Sequence, residues 1–237
     1  MKVLAIIPAY NEEASLPVVL REMSNHAGGV DCLVINDGSK DRTAETARAV
    51  GVGVVSHPVN LGAGAAAQTG FRYALRRGYD IVIQIDADGQ HDPRDIPSLL
   101  RALENEGVDA AIGSRFLEDR GYRPTRMRSV GMSFFNGLAT ILTGQRVTDS
   151  TSCFRALKRP VFKFFAEMDY PTDFQDADLR VLMKRAGFRV QEVAVSMRPR
   201  LGGRSFINGI VPAYYVFKVS LSILVTLLRE APRLRRE

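Results

Sequence analysis

The stretch Ile81-Val-Ile-Gln-Ile85 limits the possible folds more than any other part of the chain. It is apolar, β-branched and without helical period, which is the signature of a strand buried on both faces. It runs directly into Asp86-Ala-Asp88-Gly-Gln90-His91. Residues i and i+2 of an extended chain point to the same side, so Asp86 and Asp88 face one way. Two unneutralised carboxylates on one side repel. A hard divalent cation such as Mg²⁺ or Mn²⁺ relieves that repulsion, and Gln90 offers a third oxygen. The plain alternative is a polar turn, since Asp-x-Asp is a short pattern. Position favours the cation, because ligands of open α/β sheets bind at the carboxyl ends of strands.

The rest of the chain alternates in the way such a strand requires. Strands are expected over Lys2–Ile7, Cys32–Ile35, Val52–Ser56, Asp109–Gly113, Phe154–Leu157 and Val190–Val195. Helices are expected over Glu13–Met23, Thr43–Val50, Gly64–Arg77, Asp92 to about Glu106, Met127–Leu142 and Asp176–Ala186. Gly78 supplies a helix stop, and Asp92-Pro93 a cap followed by proline. This order predicts an α/β fold: a mostly parallel sheet flanked by helices on both faces. No repeat or low-complexity linker divides it. The expected organisation is one catalytic domain over 1–205, then an apolar helix and basic tail over 206–237.

The segment Phe206–Leu228 is the longest apolar run. Lys218 and Pro212 argue against a bilayer span, so an amphipathic helix lying at a membrane interface or packed on the domain is expected. Arg229, Arg233, Arg235 and Arg236 would favour an anionic leaflet. The net charge of +6 points to anionic partners, whereas the absence of Trp and of any nucleic-acid-binding motif argues against nucleic acid. Two isolated cysteines, Cys32 and Cys153, make neither a disulfide framework nor a zinc site. The N-terminal apolar run is too short for a signal-peptide core. A cytoplasmic location, peripheral on the cytoplasmic face of the membrane, is therefore expected.

Four ordered blocks carry a family resemblance: Pro8-Ala9-Tyr10-Asn11-Glu12; Asn36-Asp37-Gly38-Ser39 with Asp41 and Thr43; Asn60-Leu-Gly62-x-Gly64; and Asp86-Ala87-Asp88-Gly89-Gln90-His91. Together they resemble the family 2 glycosyltransferases of the GT-A (Rossmann-like) fold. Within these the chain looks most like the dolichol-phosphate mannose synthase and polyprenyl-phosphate glycosyltransferase branch. The resemblance implies a nucleotide-diphosphate-sugar donor, a divalent cation and inversion at the anomeric carbon. It implies a nucleotide-binding wall at Pro8, Ala9, Tyr10 and Glu12, and a base or ribose contact at Asp37. Close backbone approach falls to Gly62, the donor-side strand end to Asp86 and Ala87, and the metal to Asp86, Asp88 and Gln90. It further implies phosphate or acceptor contacts at Arg115, at Arg126 or Arg128, and at Arg200 and Ser205. The catalytic set so implied is Asp88, Arg115 and Asp176. Three departures stand out: Asn36 where relatives often have Asp, Cys153 where they read Gly, and Phe206 where they often carry Lys.

The acceptor is open at this stage. A hydroxyl needs a general base, for which Asp176 or Asp178 is available. A polyprenyl phosphate needs none, because its oxygen is already anionic. The basic loops and two apolar segments favour the lipid phosphate. Membrane hold is then expected from the interfacial helices, from homo-oligomerisation or from a small membrane-protein partner. A non-enzymatic nucleotide-sugar scaffold would not need the complete metal and phosphate set. A nucleotidyltransferase would need a glycine-rich pyrophosphate loop near the N-terminus, and none is present.

Overall fold

The computed structural model describes residues 1–124, 126–168, 170–171, 177–201 and 211–228. Its strands are β1 (Val3–Ala9), β2 (Val30–Asn36), β3 (Gly53–Ser56), β4 (Ile81–Gln84), β5 (Ala110–Ser114), β6 (Arg155–Lys158) and β7 (Val190–Ala194). They form one sheet in the order β3-β2-β1-β4-β6-β5-β7. All pairings are parallel except those of β6, which runs antiparallel to both β4 and β5.

The helices are α1 (Leu16–His26), α2 (Thr43–Ala49), α3 (Ala63–Arg77), α4 (Ile96–Ala102), α5 (Arg126–Thr143), α6 (Arg159–Glu167), α7 (Ala177–Arg185) and α8 (Val211–Leu228). The two-residue period of β1 explains why they divide into layers. Ala5 and Ile7 pack with Leu16, Leu20 and Met23 of α1 and Leu99 of α4. Leu4 and Ile6 pack with Phe71 of α3, Phe165 of α6 and Met183 of α7. On that second face α3 approaches closely, because Gly70 lies against Ile6 where a Cβ would come within 2.8 Å of its side chain. A third cluster joins Phe135 and Ala139 of α5, Ala177 of α7, and Val219 and Ile223 of α8.

The expected elements form, with informative shifts. The first helix begins at Leu16 rather than Glu13, with Pro17 in its opening turn. The helix expected from Asp92 to Glu106 is broken. Asp92 caps a short 3₁₀ turn, Pro93–Asp95, and α4 then ends at Ala102. Pro97 has no N–H, so the carbonyl of Pro93 is taken by Ile96 instead, in the tighter turn. Gly78 ends α3 in the left-handed conformation, as its position predicts. The helix α6 was not foreseen.

This topology fixes the site. The parallel strands bring the carboxyl ends of β1, β2, β4 and β5 to one edge. The reversed strand β6 brings its amino end, with Phe154 and Arg155, to that same edge.

Candidate active site

At the end of β4 the chain turns through Asp86, Ala87 and Asp88. Ala87 and Asp88 are buried and Asp86 is half-buried. His91 closes the turn. Its Nδ1 accepts from the backbone N–H of Asp86 at 3.2 Å, and its ring stacks on Phe154 at 4.9 Å. Asp88 Oδ1 accepts from the Gln90 backbone at 3.0 Å.

A strap formed by residues 197–201 lies along this turn. Met197 bridges to His91, Arg198 N–H donates to Gln90 O at 2.8 Å, and Leu201 N–H donates to Asp88 O at 3.1 Å. Gly89 has φ +76°, a left-handed backbone that favours glycine, and the Leu201 side chain lies where a Cβ there would be. From the strap, Arg200 places Nη2 at 2.8 Å from Asp88 Oδ2 and Nη1 at 3.8 Å from Glu12 Oε1.

Glu12, at the end of β1, accepts from Ser15 Oγ at 2.5 Å. Burial raises its carboxyl above the ordinary value, and Asp88 and Asp86 add to the rise, while Ser15 and Arg200 oppose it. Asp86 is raised too, by burial first and by the charge of Asp88, against the pull of His91, Arg155 and Arg200. The three carboxylates therefore form one electrostatic cluster with Arg200. Arg155 is fully buried beside it, donating to Gln84 Oε1 at 2.7 Å and to the Tyr170 hydroxyl at 2.8 Å.

These groups fit a hard divalent cation. The donors are all oxygen, the carboxylates repel one another, and a guanidinium already rests on Asp88. Asp86, Asp88 and Gln90 would hold the ion. Among the described residues no three carboxylate, imidazole or thiolate groups converge on one point. Ligand or water oxygens would therefore complete the shell.

Three of the expected site residues are engaged by partners within the fold. Asp37 does not present an open carboxylate to a nucleotide. It is 2% exposed, and accepts from Leu61 N–H at 2.9 Å, Gly62 N–H at 2.8 Å and His57 Nδ1 at 2.7 Å. It shapes the loop leading into α3, where Gly62 holds φ 99°. Arg115 does not reach the carboxylate cluster either. Its Nε and Nη2 grip Asp149 at 2.6 and 2.7 Å, and its guanidinium lies over Tyr122 at 5.1 Å. Asp178 is unsuited as a general base: it is 4% exposed and accepts from Ser222 of α8 at 2.6 Å.

Pro8 and Tyr10 are half-buried and Ala9 is buried at the end of β1, beside Glu12. Arg126 and Arg128 fall in the first turn of α5, a placement of their backbone alone. Asp176 and Ser205 lie outside the described residues. Sequence reasoning missed His57, His91 and Arg155 as site-building residues and gave Asp149 no role. The His91 signal was available, directly after the Asp-x-Asp-Gly-Gln block.

Residues 4–165 match the family model described as Glycosyl transferase family 2. Among curated proteins, the polyprenol monophosphomannose synthase of Mycolicibacterium smegmatis is 32% identical over 228 residues, covering 92% of this chain and 86% of that one. The undecaprenyl-phosphate mannosyltransferase of Micrococcus luteus is 34% identical over 220 residues, 88% of each chain. Among solved structures, glucosyl-3-phosphoglycerate synthase from Mycobacterium tuberculosis, with Mn²⁺ and UDP-glucose, superposes with a TM-score of 0.68. It is 23% identical, and the match covers 96% of this chain and 78% of that one, which establishes a shared GT-A-like fold.

Proposed function

The chain belongs to glycosyl transferase family 2 and is a glycosyltransferase, and from that premise we propose that it moves a sugar from a nucleotide diphosphate to a polyprenyl phosphate at a membrane surface, with inversion and with Mg²⁺ or Mn²⁺. The observation that carries this reading is the cluster of Asp86, Asp88 and Glu12 with Arg200, set at the edge where β1, β2 and β4 end. It combines oxygen ligands for a cation with a guanidinium for a diphosphate.

In this reading the acceptor oxygen attacks the anomeric carbon from the face opposite the donor phosphate. One C–O bond forms as the bond to the diphosphate breaks, and the nucleoside diphosphate leaves. A bound cation supplies Lewis-acid stabilisation of the leaving charge. The chain's own contribution is placement. His91 fixes the backbone of Asp86, and Asp37 with His57 sets the loop that faces the nucleotide. Arg115 ties the end of β5 to Asp149. Arg200, Arg126 or Arg128, and Ser205 are the proposed phosphate contacts.

The lipid acceptor is supported by the relatives' named substrates and by two outward apolar stripes. Val130, Phe134 and Ile141 of α5 are exposed, as are Phe217, Leu221, Leu224 and Leu228 of α8. Both helices pack on α7, so the stripes belong to one helical group. Rows of exposed apolar side chains on a helix suit a membrane or partner contact. Among the described residues no helix is long and apolar enough to cross a membrane. A polyprenyl phosphate also needs no general base, which agrees with the burial of Asp178.

The test is nucleotide diphosphate release by purified protein with Mn²⁺, polyprenyl phosphate in detergent and a panel of UDP- and GDP-sugars. Lipid-dependent release with one donor, absent in Asp88→Ala, is expected. Donor turnover on a glycan hydroxyl without lipid dependence would refute the acceptor and direct attention to Asp176.

A further inference from the structure

We infer that Arg200 is the resident counter-cation of the carboxylate site, and that a divalent metal and the donor diphosphate displace it together. This rests on the assignment of Asp86, Asp88 and Gln90 to a metal. Both oxygens of Asp88 are engaged: Oδ1 accepts from the Gln90 backbone at 3.0 Å and Oδ2 meets Arg200 at 2.8 Å. A metal held through Oδ2 would compete with the guanidinium for the same carboxylate charge. The second guanidinium nitrogen faces Glu12, so Arg200 bridges carboxylates from the ends of β1 and β4.

The strap makes this position a built one. Backbone hydrogen bonds on either side of Arg200, from Arg198 to Gln90 and from Leu201 to Asp88, register it against the metal turn. Leu201 packs on Gly89 in the same register. Arg198, two residues earlier, is directed elsewhere, to Asp92 at 2.8 Å and Glu22 at 3.3 Å. The strap therefore delivers one arginine to the site and anchors itself with another.

The consequence is coupling between two ligands. Metal alone competes with a cation already in place. A diphosphate alone adds negative charge beside Glu12, Asp86 and Asp88. Arriving together, the metal neutralises the carboxylates and the diphosphate offers the released guanidinium a bidentate anionic partner. Each ligand then strengthens the binding of the other, as linkage requires.

Mn²⁺ binding to the full chain, followed by the electron paramagnetic resonance of the free ion, tests this without turnover. The proteins are wild type, Arg200→Ala, Arg198→Ala and Asp88→Asn, each with no nucleotide, with UDP and with GDP. Melting curves verify that each variant is folded. Without nucleotide, Arg200→Ala is expected to bind Mn²⁺ about fivefold more tightly than wild type, the factor expected for loss of a partly exposed ion pair. Arg198→Ala should stay within about twofold. The strengthening of Mn²⁺ binding by the diphosphate should shrink in Arg200→Ala. If Arg200→Ala binds Mn²⁺ as wild type does while Asp88→Asn loses it, the metal site stands and the displacement is refuted. If wild type binds no Mn²⁺ with either diphosphate, the metal assignment itself falls, and the displacement with it.

Discussion

Arg115 is the residue on which sequence motif and structure differ most usefully. Its side chain is 7% exposed and that of Asp149 is fully buried, and the two make a bidentate pair at 2.6 and 2.7 Å. Burial works against the arginine's charge, but the hydrogen bonds and charge of Asp149 outweigh it and raise the pKa above the ordinary value. Arg115→Ala would leave Asp149 buried without its counter-charge. Breaking one partner of such a pair costs about 3–5 kcal/mol. Three donors to Asp149 survive, namely the backbone N–H groups of residues 115 and 151 and the Thr151 hydroxyl. The lower end, about 3 kcal/mol, is therefore expected. For a chain of this size that corresponds to a fall in Tm of roughly 6–12 °C. The assay is urea denaturation without ligands, read as a lower midpoint at unchanged m. Arg115→Lys should recover only part of the loss, because an ammonium cannot reproduce the fork. A midpoint for Arg115→Ala equal to wild type, together with lost turnover, would refute the reasoning and return Arg115 to direct phosphate contact.

Gly70→Ala should destabilise the fold by about 1–3 kcal/mol, because the added Cβ meets Ile6 across the α3–β1 contact; thermal melting checks it. Burial pushes Asp92 up, but hydrogen bonds from the Arg94 side chain and backbone and from Arg198 hold it below its ordinary value of 3.8. A carboxyl depressed in the folded state stabilises above its unfolded pKa and loses that contribution as pH falls through the folded one. The stability gap between wild type and Asp92→Asn, from denaturation at a series of pH values, should thus be constant near neutrality and shrink below pH 3.8. Cys32 is pushed up to about 11 by burial and by Asp31. Iodoacetamide at pH 8 should label it roughly a hundred times more slowly than an ordinary thiol, read by mass spectrometry of the intact and digested chain.

The fold was legible where burial leaves a local mark. The β-branched runs of β1, β2 and β4 and the glycine stop of α3 are properties of adjacent residues. The direction of β6 is not. Phe154-Arg-Ala-Leu reads as a strand, but nothing within it says that it runs against its neighbours. The helix α6 had a usable signal, with Pro160 in its first turn and Val161, Phe162, Phe165 and Ala166 buried on one face. The carboxylate pair was legible because its spacing is local. The roles of Asp37 and Arg115 were not, because their partners stand 20 to 34 residues away. A motif gives a carboxylate or a guanidinium its place in the chain. Which way it turns depends on partners supplied by distant segments.

The reversed strand has a consequence for how the chain is made. β3, β2, β1 and β4 can pair as soon as Gln84 has left the ribosome. The outer edge of β4 must then wait for β6, since the contact between Gln84 and Arg155 spans 71 residues. At ordinary elongation rates that is a delay of roughly 4 to 14 s. Throughout it, Ile81-Val-Ile offers an unpaired apolar edge to any other nascent chain. β5 and β7 join the first four strands only through β6. The strand that unites the sheet is thus the sixth of seven to emerge, and the growing polypeptide carries that open edge until it does.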